Sequence, residues 1–326
     1  MLGGVRVGGG AGVVVMGVLN VSPESFYAAS VHQACDDVTA TATAMVGAGA
    51  AVVDVGGMST APYRATRIGE DEEASRLARA VGALARHVTV PISVDTARPG
   101  PAHAAFGAGA CVLNDVTGLA DDRVAALAAE RGVSVILMAS PAGARAAGIA
   151  VDPGDPIGTV RACLEASLAR AAAAGIPADR TVLDPGIGFF LEEATARAAW
   201  DVRVLGALAE LQDLGRPLCV GVSRKSFIGA ITGRERPDDR LAGSLAATVL
   251  AVGGGAALVR THDVAETRDA VLVAEHVIAF MGGLEGPAMP PERSRTPRGV
   301  RGRTRGTPGA ARPGDSSTGS ARGGRR

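Results

Sequence analysis

Eight short apolar bursts recur along this chain, each followed by a turn and most of them by an Ala-rich stretch with helical patterning. They are VVVMGVL (13–19), AAVVDV (50–55), VPISVD (90–95), ACVLND (110–115), VSVILM (133–138), TVLD (181–184), PLCVGV (217–222) and AALVRT (256–261). Helix-like segments lie at 31–48, 70–87, 98–108, 122–131, 156–174 and 240–253. Short, nearly all-apolar strands are buried on both faces, as in a parallel sheet covered by helices. Eight such units predict a (β/α)8 TIM barrel. An open doubly wound sheet is the alternative, and it calls for a phosphate-binding G-x-G-x-x-G turn after the first strand. The chain reads VMGVLNVSPESF there instead.

The barrel is expected over 13–282, between a flexible N-terminus (1–12) and a disordered basic tail (283–326). Charge marks the tail. From Pro287 to Arg326 there are ten arginines and two acids, whereas the whole chain is neutral. A segment so rich in Gly, Pro and Ser cannot bury a core. No folded nucleic-acid-binding motif accompanies the arginines, so the tail reads as a solvated extension and nucleic acid is not an expected partner. Cys35, Cys111, Cys163 and Cys219 form no CxxC pair. That argues against a disulfide framework or a cysteine zinc site and for a reducing cytosol. The first twelve residues lack a charged start leading into a long apolar core, so no signal peptide is expected. No apolar run reaches the ~18–20 residues of a membrane helix. The expectation is a cytoplasmic protein.

The residues just past each burst are polar: Asn20, Asp54, Asp95, Asn114 with Asp115, Asp184, the run SRKS at 223–226, and Arg260-Thr261-His262-Asp263, with Met138 after the fifth burst. The opposite ends of the bursts show no such series. Active sites of (β/α)8 barrels are built at the C-terminal ends of the strands. Uncompensated buried polar groups cost several kcal/mol each, so a ring of them at one end marks an enzyme or a ligand-binding barrel. Composition sharpens the point. Only two asparagines (Asn20, Asn114), two tyrosines (Tyr27, Tyr63) and one lysine (Lys225) occur in 326 residues, and all lie within or beside this set. Everywhere else the chain uses arginine for positive charge, and a forked guanidinium does not substitute for a compact ammonium at a crowded site.

Asp95, Asn114 and Asp184 offer acceptors and one amide, which suits a flat ring with several N–H donors, such as an amino-pyrimidine edge. Arg260 and His262 suit an anion such as a phosphate. His32, His87, His103 and His276 fall in helical patterns, which leaves His262 alone at the strand ends and argues against a histidine zinc site. A hard Mg²⁺ that keeps waters and substrate oxygens stays open.

Seven segments resemble those of the dihydropteroate synthase family, in the family's order: MGVLNVSPESF (16–26), GAAVVDVGGMSTAP (49–62), ISVDT (92–96), GACVLNDVTG (109–118), LDPGIGF (183–189), GVSRKSFIG (221–229) and VRTHDVAET (259–267). The resemblance implies a (β/α)8 barrel, usually a dimer, that joins 6-hydroxymethyl-7,8-dihydropterin diphosphate to para-aminobenzoate with Mg²⁺ and releases pyrophosphate. Carried over by position, Asp95, Asn114, Met138, Asp184, Gly221 and Lys225 would hold the pterin. Asn20, Arg260 and His262 would hold the diphosphate, with Asn20 on the magnesium. Ser59, Thr60, Pro62, Phe189 and Ser226 would meet the acceptor amine. Asn20, Lys225, Arg260 and His262 would carry the catalysis.

The loops depart from the usual bacterial pattern. GGMSTAPY has Met58 for an acid and Ala61 for an arginine, the first loop has Glu24 for Asp, LMAS has Ala139 where histidine is common, and GIGFF has Phe190 where Gly-Lys often follows. These loops look more like archaeal-type members, linked to methanopterin-like cofactors, whose acceptor is an aminobenzene bearing a ribosyl phosphate. Both acceptors stay open, as does a non-catalytic pterin-binding relative. A Schiff-base aldolase using Lys225 is a further reading, but such a lysine sits within a strand and Lys225 follows one.

Overall fold

The computed structural model describes residues 1–21, 35–57 and 68–282. Eight parallel strands close into a barrel in sequence order. They are β1 (Val14–Asn20), β2 (Val52–Gly56), β3 (Ile92–Asp95), β4 (Val112–Asp115), β5 (Ser134–Met138), β6 (Thr181–Asp184), β7 (Leu218–Val220) and β8 (Ala256–Thr261). Each overlaps one apolar burst. Val14 to Gly17 of β1 pair with Leu258 to Thr261 of β8, which closes the ring and excludes the open sheet.

Helices α1 (Cys35–Gly47), α2 (Glu70–Leu84), α3 (Pro99–Ala108), α4 (Asp122–Arg131), α5 (Pro141–Ala146), α6 (Pro156–Ala173), α7 (Ala194–Gly206), α8 (Ser226–Thr232), α9 (Leu241–Gly253) and α10 (Val264–Met281) surround it. Several starts are written locally. Asp121 and Asp155 cap α4 and α6 by accepting the N–H of Arg123 and of Gly158, donors the first helical turn leaves unpaired. Among the described residues no helix is long and apolar enough to cross a membrane.

Two apolar layers hold the barrel. One lies between strands and helices and takes Val53, Val55, Val94, Leu113, Leu137, Leu183, Val220 and Val259. The other fills the barrel itself and takes Val14, Met16, Val52, Val112, Ile136, Val182, Cys219 and Leu258. The alternation follows the two-residue period of a strand, and both faces are buried, which is why the sequence reads as unbroken apolar runs.

The N-terminal segment departs from expectation. Residues 1–12 are not a loose lead-in: Leu2 is fully buried and Val7 nearly so, and both pack into the cluster inside the barrel. The N–H of Gly3 donates to Ser134 Oγ at 3.1 Å, and that hydroxyl donates to the Met1 carbonyl at 3.1 Å. The segment closes the barrel end from which the strands start, and the hydrophobic gain of two buried side chains outweighs the glycine-rich composition that suggested flexibility. The loops after β1 and β2 and the basic tail lie outside the described residues, and with them Glu24, Met58, Ser59, Thr60, Ala61 and Pro62.

Candidate active site

The strand period that builds the inner apolar layer also builds the site. Two residues beyond each inward apolar side chain, the next inward position faces the open end of the barrel. Val52 is followed by Asp54, Val112 by Asn114, Ile136 by Met138, Val182 by Asp184, Cys219 by Gly221 and Leu258 by Arg260. Register keeps them level: Asp95 lies beside Asn114, and Met138 beside Asp184. A cavity open to solvent results, lined by Asp95, Asn114, Val116, Met138, Asp184, Ile187, Phe189, Gly221, Lys225 and Arg260. All six residues expected to hold the pterin are on its wall.

The polar floor is an ion-paired network. Arg260 Nε donates to Asp54 Oδ2 at 2.6 Å, and Arg260 Nη2 to Asp95 Oδ2 at 2.9 Å. Asn114 Nδ2 donates to the same Asp54 oxygen at 3.0 Å. Burial alone would pull the arginine down, but Asp54 and Asp95 more than offset it and hold the guanidinium charged. Asp95 is pushed up to about 7, chiefly by burial, with Arg260 opposing and Asp54 adding repulsion. The second oxygens, Asp54 Oδ1 and Asp95 Oδ1, are buried without a partner among the described residues. An unpaired buried carboxylate oxygen is costly, and on Asp95, which lines the cavity, it marks where a ligand's N–H belongs.

Asp184 and Lys225 face the same cavity. Asp184 Oδ1 accepts the Gly186 N–H at 2.8 Å, and burial raises its pKa. Lys225 is half-buried at the start of α8, its Nζ 4.5 Å from the centre of the Phe189 ring. Burial and the charge of Arg260 bring the ammonium down to about 8, against the pull of Asp184, Asp201 and Asp95. The turn beneath it needs glycine. Gly186 and Gly188 have φ of +71° and +86°; a Cβ on Gly186 would lie 1.9 Å from the Ala139 carbonyl oxygen, and one on Gly188 would lie 2.9 Å from Lys225 Cδ. Ala139, where histidine is common in the family, is fully buried under this turn.

His262 follows β8. Its Nδ1 is 3.0 Å from Ser223 Oγ, and its backbone N–H donates to that oxygen at 3.2 Å. Burial and the nearby Arg260, Arg224 and Lys225 cations drive the imidazole down to about 3, so it is neutral at physiological pH. Arg224, with φ of +59°, is turned away into ion pairs with Asp238, at 3.1 Å, and Asp263. The neighbouring arginine is thus structural, and it ties the SRKS turn to the THD turn. Asn20 ends β1 beside Gly56 of β2, and Ser226 is the first residue of α8, half-buried.

Asp54, Ser223 and Asp201 of this network were not among the expected site residues. Asp54 stood in the polar series, but nothing in sequence indicated that it pairs with a residue 206 positions away. Ser223 was visible only as part of SRKS. Asp201 lies in the middle of α7, where local sequence gives no signal. Arg260 also proved to have a second commitment: expected as an anion holder with His262, it sits on the cavity floor bound to two carboxylates. Ser59, Thr60 and Pro62 lie outside the described residues. Among the described residues no three His, Cys, Asp or Glu side chains converge as a metal cluster.

The family profile described as "Pterin binding enzyme" matches residues 16–262. Dihydropteroate synthase of Escherichia coli K12 is 37% identical over 265 residues, covering 81% of this chain and 92% of that protein. The chain belongs to the dihydropteroate synthase family. As a member it is an enzyme, a dihydropteroate synthase-like transferase. A probable bifunctional folylpolyglutamate synthase/dihydropteroate synthase of Haloferax volcanii is 41% identical over 263 residues. The match covers 81% of this chain, which spans only 30% of that longer protein. The structure of Xanthomonas albilineans dihydropteroate synthase with 4-aminobenzoic acid superposes with a TM-score of 0.73 at 38% identity, covering 82% of this chain and 94% of that one. The fold, the polar ring and the seven motifs thus point to one family.

Proposed function

We propose that the chain joins 6-hydroxymethyl-7,8-dihydropterin diphosphate to para-aminobenzoate, releasing pyrophosphate, in folate biosynthesis. The observation that carries this reading is the acceptor-rich cavity at the barrel mouth, where Asp95 Oδ1 awaits a donor beside Asn114, Asp184 and the single lysine. An amino-pyrimidine ring brings N–H donors for the carboxylates and acceptors for Asn114 and Lys225. The acceptor is assigned by kinship, since the X. albilineans relative is described with 4-aminobenzoic acid.

The bond from the pterin methylene to the diphosphate oxygen breaks with its electron pair leaving on the diphosphate. The developing methylene cation delocalises into the dihydropterin ring held by Asp95, Asn114 and Asp184. The amine lone pair then forms the C–N bond, and the amine proton is lost to solvent or pyrophosphate. Neutral His262, the positive Arg260 and Asn20 are the proposed partners of the departing charge. Ser59, Thr60 and Pro62 of the second loop, with Phe189 and Ser226, are the proposed acceptor contacts.

Magnesium fits this site only as an ion carried largely by substrate oxygens and water. Asn20 supplies a neutral carboxamide oxygen, a ligand type that hard Mg²⁺ accepts, and no carboxylate cage accompanies it among the described residues. When bound, the ion would neutralise charge on the leaving diphosphate.

A ribosyl-aminobenzene phosphate is the second acceptor, and the archaeal-like loop residues favour it. One of these departures does not reach the cavity wall: Phe190 is fully buried and stacks on Trp200. Single-turnover assays with the pterin diphosphate, Mg²⁺ and the two amines in competition decide between them. We expect pyrophosphate release with para-aminobenzoate. Preference for the ribosylated amine moves the reading to methanopterin formation, and tight pterin binding with no pyrophosphate from either amine removes the enzyme reading.

A second copy of the chain is the proposed partner. Helices α9 and α10 pack together and leave Leu250, Val273 and Val277 at 65, 64 and 52% exposure, an apolar set suited to a homodimer. Light scattering should give twice the 32.5 kDa chain mass.

A further inference from the structure

A buried acid of this network lies behind the cavity wall. Asp201 lies on α7, in the outer helical layer, with no exposed surface. Its Oδ1 accepts the N–H of Gly188 at 2.7 Å. Its Oδ2 is buried with no partner among the described residues. A single N–H needs only a neutral acceptor, and an amide or hydroxyl would serve. A second carboxylate oxygen kept dry and unpaired costs free energy unless the charge itself is used.

The turn that Asp201 holds is the one beneath the single lysine. Gly188 touches the Lys225 stem so closely that a Cβ would overlap it, and Phe189 places its ring face 4.5 Å from the ammonium. Phe190 follows and stacks on Trp200, with ring centres 4.7 Å apart and planes 20° from parallel. The Trp200-Asp201 pair on α7 therefore grips this turn from outside by a stack and a hydrogen bond, while the turn's inner side meets Lys225. Charge runs the same way, for Asp201 draws Lys225 upward in pKa and Lys225 draws Asp201 downward. Burial remains the larger influence on each, leaving Asp201 at about 6.

We propose that Asp201 is a positioning residue for Lys225: it holds the Gly186–Phe189 turn against the lysine stem and sets a carboxylate behind that turn. It touches no substrate. The proposal rests on the assignment of Lys225 to the pterin site, but its test does not require turnover.

Because Lys225 is the only lysine in the chain, ¹³C-lysine labelling gives one ε-carbon resonance whose pH midpoint reports that ammonium directly. The charged groups around Lys225 are Arg260, Asp184, Asp201 and Asp95; those around Asp201 are Lys225 and Arg197. In full-length Asp201→Asn the amide oxygen still accepts the Gly188 N–H but the charge is gone. The lysine midpoint should fall by about half a unit or more, and pterin affinity at pH 8 should fall with it. Asp201→Ser guards against poor folding of the first variant and should shift the midpoint in the same direction. Trp200→Phe should lower the unfolding temperature without moving the midpoint. A lower melting temperature in both Asp201 variants with an unchanged lysine midpoint would reduce Asp201 to a structural hydrogen bond and overturn the proposal. Absence of turnover in wild type, with the midpoint shift intact, would instead count against the proposed reaction alone.

Discussion

Arg260 on the last strand and Asp54 on the second form a part-buried ion pair, with Arg260 Nε 2.6 Å from Asp54 Oδ2. The aspartate is wholly buried and also accepts from Asn114, so it orders two cavity residues at once. Asp54→Ala should leave the guanidinium with only Asp95 as ion-pair partner and should cost about 3 kcal/mol of stability, the low end of the loss on breaking a buried pair because the arginine is partly exposed. Pterin affinity should fall as well, because Asn114 loses the acceptor that orients it. Urea unfolding and ligand fluorescence check the two effects; a variant that keeps both would show that Asp54 is dispensable.

The lone lysine yields a prediction of fit. A guanidinium is wider than an ammonium, and the Gly188 backbone is already in contact with the stem. Lys225→Arg should reduce pterin affinity and kcat/KM by about tenfold or more while preserving the fold. Gly188→Ala should do the same from the other side, since the new methyl meets Lys225 Cδ and the residue must keep φ near +86°. Near-normal turnover in both would mean the close approach has no functional role.

Binding should depend on pH in a defined direction. Asp95 titrates at about 7, and a ring donating N–H groups favours its ionised form, so pterin affinity should rise as pH increases to about 7. Lys225 titrates at about 8, and affinity should fall as the ammonium loses its proton above that value. The limbs are separable: Asp95→Asn should abolish the acid limb and leave the alkaline one. Isothermal titration across pH 5 to about 9.5 is the measurement.

Acid sensitivity of the fold should involve His262. Its folded pKa of about 3 lies below the ordinary 6.5, so between those values the unfolded chain binds the proton and the folded one does not. Stability from this group is present above 6.5 and is lost as pH falls towards 3. His262→Gln should therefore lose less stability than wild type between neutral pH and pH 5, by on the order of 1 kcal/mol. Equal losses in paired denaturant titrations would contradict the half-buried neutral imidazole.

The N-terminal plug can be tested without touching the site. Leu2→Ala removes a fully buried side chain from the cluster inside the barrel and should cost about 2–4 kcal/mol, with kcat unchanged. A change below about 0.5 kcal/mol, typical of surface positions, would show that the segment is loosely held.

By itself the sequence determined the barrel, the end of it that carries the polar ring, and the family. Those features are local: an apolar burst, a polar residue at its end, and a motif each occupy a few consecutive positions, and their order along the chain does the rest. Asp95, Asn114, Met138, Asp184, Gly221 and Lys225 were all legible this way and share one cavity wall. Tertiary structure alone decided which groups satisfy one another. In strands buried on both faces no polar–apolar alternation marks the inward side, so the two-residue step from Val52 to Asp54 or from Leu258 to Arg260 carries no outward sign. Closure of β8 on β1 brings Arg260 to Asp54, and the turn after β7 brings Ser223 to His262 across 39 residues. The burial of Leu2 and the pairing of Asp201 with Gly188 have the same origin. Each depends on desolvation and contact between distant segments, which exist only once the barrel has closed.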